Sequence, residues 1–138
     1  MQIVLRYAVL ALIAFALHLI WEKLHIPLYT NYEALGTGWK LAIWATCGDV
    51  LYTVLIALAV AALFGRLDWF VGASLRQYAF AAALGLGVAL FVEYKALYLH
   101  TWGYDAAMPI IPVLHVGLSP ILQMLILTPL ALLIAGAL

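Results

Sequence analysis

Four long apolar runs dominate the chain: Ile3 to Trp21, Leu41 to Phe64, Gln77 to Leu99 and Pro109 to Ile134. Their apolar positions are continuous rather than alternating, which excludes barrel strands. About 20 apolar residues cross the ~30 Å of bilayer hydrocarbon as an α-helix. A helix also satisfies its own backbone hydrogen bonds, as hydrocarbon demands. The pattern predicts an all-α polytopic membrane protein, a single integral membrane domain over residues 1–138 built as a four-transmembrane-helix bundle. The helices fall near 3–25, 41–64, 77–99 and 109–134. Pro27 should end the first helix near His25 or Ile26. Pro109 and Pro112 suit the opening turn of the fourth helix, and Pro120, inside it, should kink it.

The connections carry interfacial aromatics: Tyr29, Tyr32 and Trp39 in the first, Trp102 and Tyr104 in the third. Small residues at spacing four, Ala81, Gly85 and Ala89 on the third helix and Ala57 and Ala61 on the second, mark faces where helices can approach closely. No internal repeat of the transporter kind is present.

Composition agrees with lipid as the solvent. The chain is 69% hydrophobic and 9% charged, against about 25% charged residues in a soluble domain. A domain of this size could not bury so much apolar surface from water. Net charge is zero, and the absence of a basic patch argues against nucleic acid as a partner. The one cysteine, Cys47, has no partner for an internal disulfide. Ala14-Phe15-Ala16 has the form of a signal-peptide cleavage site, but the apolar run continues through Leu19, Ile20 and Trp21, so a retained first helix is expected. Three arginines (Arg6, Arg66, Arg76) lie on one side and three lysines (Lys23, Lys40, Lys95) on the other. The positive-inside rule therefore ties. The free amino terminus and the lack of long loops on the arginine side favour both termini in the cytoplasm.

The ionisable residues within the spans gather toward one side. Counted at 1.5 Å per residue, His18, Asp49, Glu93 and His115 lie ~9–12 Å below the same membrane surface. His18, Glu22 and His25 share one helical face, as do Thr46, Asp49 and Thr53 on the second helix, Glu93 and His100 on the third, and His115, Ser119 and Gln123 on the fourth. Lipid is a poor environment for these faces, so they should converge. An intramembrane carboxylate costs at least ~2.5 kcal/mol on insertion scales, which implies a compensating partner or a function. For Glu93 the expected partners are His18 or His115 on another helix, or a bound ligand.

Three chemistries fit a site of His18, Glu22, Asp49, Glu93 and His115, with His25, Trp102, Tyr104, Ser119 and Gln123 around it. The first is a divalent metal held by Glu22, His25, Asp49, Glu93 and His115. Glu22-x-x-His25 has the spacing of di-metal helical bundles, although the second such motif of a full di-metal site is missing. The second is proton-coupled transport of a cation through the carboxylates. Four helices are few for alternating access, so transport implies a homodimer. The third is a structural role, in which these side chains hydrogen-bond one another and set helix register. Haem ligation by His18 and His115 is a lesser alternative. Trp102 and Tyr104 suit an interfacial belt or a lid over the polar layer. No phosphate loop or nucleophile elbow is present, and whether the chain is an enzyme is left open.

Trp21-Glu22, Pro27-Leu28-Tyr29, Gly48-Asp49, Glu93, Trp102-x-Tyr104, Met108-Pro109, Pro112 and Gly117-Leu118-Ser119-Pro120 ahead of Gln123 form a pattern over most of the chain. In these residues the chain resembles a family of small uncharacterised bacterial inner-membrane proteins of four helices. The resemblance implies a bacterial inner membrane and points to Glu22, Asp49 and Glu93, but supplies no substrate.

Overall fold

The computed structural model describes residues 1–138. Four helices are long and apolar enough to cross a membrane: α1 (Gln2–His25), α2 (Gly38–Phe64), α3 (Leu75–Tyr98) and α4 (Leu118–Ala137). They form an all-α bundle in which α1 packs against α2 and α4, and α3 against α2 and α4. Pro27 lies in a single 3-10 turn, Ile26–Leu28, that stops α1 where the sequence places its end. Gly65 ends α2 in the left-handed conformation, φ 72°, which costs glycine nothing. A capping box between Ser74 and Gln77 opens α3, satisfying amides that the first turn leaves free.

The arginine-side end is plugged. The short loop between α2 and α3 folds back so that Trp69 and Phe70 are almost wholly buried. Trp69 donates its indole N–H to Ala57 O at 2.8 Å, and Tyr78 donates to Phe70 O at 3.3 Å. Both small-residue stripes are buried. Gly85 faces the backbone of α4, where an added Cβ would come within 2.6 Å of Met124 O.

The fourth span differs from the sequence expectation. Residues 109–117 are not helical: they form a hairpin of Ile110–Ile111 and Val116–Gly117, with Ile110 opposite Gly117. Each proline disfavours helical backbone in the residue before it, and Met108 and Ile111 each precede one. His115 turns the hairpin at φ 53°. The helix starts only at Leu118, so Pro120 sits in its first turn, where a missing N–H is harmless, instead of kinking it midway. Within α4, Gln123–Leu127 is a π-helical turn. Pro129, which follows it, has no N–H to close the normal bond to Leu125 and crowds that carbonyl. A second short pairing joins the first and third connections, with Tyr29 opposite Tyr104 and Thr30 opposite Gly103.

Candidate functional site

The buried side of α1 repeats through Leu10, Ala14, His18, Glu22 and His25. Its last three members are polar and meet Asp49 and Thr53 of α2 and Gln123 of α4. The π-helical turn begins at Gln123, and its amide is the centre of the group. Nε2 lies 2.8 Å from Glu22 Oε1, 2.8 Å from Asp49 Oδ2 and 3.1 Å from His18 Nδ1. His18, wholly buried, has Nε2 3.3 Å from Thr53 Oγ1. His25 places Nε2 3.1 Å from Glu22 and Nδ1 2.9 Å from Ser119 Oγ, which also accepts from the Trp21 indole at 3.2 Å. None of Glu22, Asp49 or Glu93 is paired with a lysine or arginine; the ion pairs that include one are Arg6 and Arg66 with Asp68, at the far end.

Glu93, on α3, is held separately. Tyr104 donates to its Oε2 at 2.5 Å, Trp102 to the same oxygen at 3.5 Å and Tyr29 to Oε1 at 3.4 Å. These donors come from the connections that the Tyr29–Tyr104 strand pairing brings together, not from His18 or His115 as the helical phase suggested. Burial, then the neighbouring Glu93 carboxyl, pushes both tyrosine hydroxyls above the usual phenol range. Both therefore keep their protons, and stay donors, through neutral pH.

A cavity of about 750 Å³ lies between α2 and α3 over these groups. Glu22, His25, Asp49, Glu93 and Gln123 reach it from the polar layer, Tyr29 and Trp102 from the connections, and Leu51, Val88 and Val92 are among its apolar walls. At the plugged end the two helices touch through Phe64 and Phe80, ring centres 5.7 Å apart. At the other end the cavity parts them. Asp49 keeps 20% of its side chain exposed, whereas Glu22 keeps 8%.

The structure thus brings together His18, Glu22, His25, Asp49, Ser119 and Gln123, and sets Glu93 with Trp102 and Tyr104 on the same cavity or beside it. His115 is not among them. It is exposed at the hairpin turn, because the helix that would have carried it inward begins three residues later. His100 is likewise exposed, in a left-handed turn beyond α3. This removes His115 from the expected metal set and from haem ligation, and His18 has both ring nitrogens beside Thr53 and Gln123. No group of three or more His, Cys, Asp or Glu side chains is arranged to hold a metal ion. The reason is visible at the centre: an amide N–H donor faces Glu22 and Asp49 where a metal would need acceptors. Sequence reasoning missed Tyr29 as a partner of Glu93. Its only signal was its aromatic type near a membrane surface.

No protein-family model, no curated protein and no solved structure matches the chain.

Proposed function

We propose that this is a bacterial inner-membrane protein, both termini cytoplasmic, that binds a small bilayer-soluble ligand in the cleft between α2 and α3. The observation that carries this is the form of the cavity. Its ~750 Å³ is in the range of small-molecule sites, which are mostly apolar with a few convergent polar groups. Leu51, the middle residue of the 27-residue α2, lines the cavity and is 57% exposed. A mouth at mid-helix opens toward lipid, so the ligand enters from the bilayer and turns its polar end to the carboxyl floor.

Two measurements test this. Val88 lines the cleft from α3, and Val88→Trp should obstruct it. In nanodiscs, ten-carbon alcohol, amine and acid probes followed by calorimetry should include at least one binder of the wild type, lost in this variant while its thermal stability is kept. Unchanged binding by Val88→Trp would place the ligand elsewhere. For topology, reporter fusions after Arg66 and after Leu138 should both report the cytoplasm; fusions reporting opposite compartments would overturn the arrangement.

A further inference from the structure

We propose that the occupant's polar end is an organic ammonium group, and that it binds in exchange for one proton shared by Glu22 and Asp49. This rests on the cleft being a ligand site.

The groups facing the pair come from every neighbouring element. From α1 come His18 and His25, from α3 Glu93, with the exposed Lys95 at the cavity edge. From the connections come the hydroxyls of Tyr29 and Tyr104, held on Glu93. From α4 come only the neutral Gln123 and Ser119. No arginine lines the cavity.

Donor counting locates the proton. The Trp21 indole can only donate, so Ser119 Oγ accepts from it, which leaves the Ser119 hydrogen free to go to His25 Nδ1. His25 Nε2–H then faces Glu22 Oε1. The two hydrogens of Gln123 Nε2 go to Glu22 and Asp49, each at 2.8 Å. Glu22 Oε1 therefore faces the amide and His25, and Asp49 Oδ2 faces the amide with His18 Nδ1 3.6 Å away. The two carboxyl groups are neighbours, since each places an oxygen 2.8 Å from the same amide nitrogen. Adjacent carboxyl groups with no lysine or arginine beside them favour holding one proton between them in such a site. Glu22 has the closer histidine, 3.1 Å against 3.6 Å, so the shared proton is placed on Asp49.

Asp49 is the more exposed of the two and faces the cavity. A cation seated over it takes the proton's place: the Asp49 O–H bond breaks, the proton leaves through the cavity to water, and the charge of the site is unchanged. Tyr29 and Trp102 line the cavity, and aromatic rings attract an ammonium group. An anionic head would instead meet Glu22, Asp49 and Glu93. One cation for one proton is also the elementary step of a proton-coupled carrier.

The test uses the full chain in nanodiscs with decyltrimethylammonium, whose fixed charge carries no proton, and decanol as its neutral counterpart. Calorimetry in phosphate and in Tris, which differ in heat of ionisation, counts the protons released. One proton should leave per cation bound, and affinity should rise about tenfold per pH unit while Asp49 holds its proton. Asp49→Asn and, separately, Glu22→Gln should each bind the cation with no proton released and no such pH dependence. Cation binding without proton release by the wild type would overturn the exchange and leave the cleft as a ligand site. Decanol binding as tightly as the cation would overturn the ammonium head. Binding of neither would overturn the proposal, and the cleft reading with it when the ten-carbon acid also fails to bind. Continued release of one proton by both variants would overturn the assignment to Glu22 and Asp49.

Discussion

Gln123→Leu is expected to destabilise the protein by about 3 kcal/mol or more, on the scale of removing one partner from a buried charged group. Leucine is close to glutamine in size and suits a helix, so packing changes little. What is lost is the amide that donates to Glu22 and Asp49 together. Both carboxyls stay in the bundle interior, and no lysine or arginine pairs with them in compensation. Glu22 would keep only His25 as a donor from a neighbouring ring. Thermal unfolding of the purified protein, followed by tryptophan fluorescence, measures the effect. A second substitution gives the mechanism: Asp49→Asn in the Gln123→Leu background should cost much less than in the wild type, because the hydrogen bond between Asp49 and the amide is already gone. A Gln123→Leu protein as stable as the wild type would show that the amide is not what holds the carboxyls.

The second large effect is on binding. Glu93→Gln should leave the fold nearly intact and weaken binding of the decyltrimethylammonium probe about 10- to 100-fold, the equivalent of ~1.5–3 kcal/mol for an interaction with a charged group. The glutamine carbonyl can still accept from Tyr104, and the Tyr29 hydroxyl can accept as well as donate. Only the Trp102 indole, already at 3.5 Å, is left with a weaker partner, a loss of about 1 kcal/mol. A structural role for Glu93 predicts the opposite order: a clear loss of stability with probe affinity unchanged. Measuring both quantities on one preparation separates the two roles.

The membrane class, the four spans and the inward convergence of polar faces were legible in the chain because they depend on local rules. Continuous apolar runs of about 20 residues have one stable form in hydrocarbon. Residues three and four apart share a helical face whatever the rest of the protein does. His18, Glu22 and His25 could therefore be grouped without a structure, and Asp49 and Gln123 follow from depth and phase. The small stripe Ala81, Gly85 and Ala89 was visible for the same reason, since only small side chains let α3 reach the backbone of α4.

The fourth span shows where local rules fail. Pro109 and Pro112 are compatible with a helix opening and with a hairpin, and the apolar residues between them and Gly117 suit either. The hairpin form moves His115 to the surface and starts the helix at Leu118, with its π-helical turn presenting Gln123. Linear position put His115 at the same depth as Glu93; the backbone turn cancelled it. Tertiary structure alone also chose the partners of Glu93. Tyr29 and Tyr104 are 75 residues apart, from their numbers, and meet through a two-residue strand pairing whose sequence signal is too short to read. The cavity is likewise a property of the assembled helices: Phe64 and Phe80 join α2 and α3 at one end, and the space between them at the other end depends on how four rigid rods pack, which no single segment encodes.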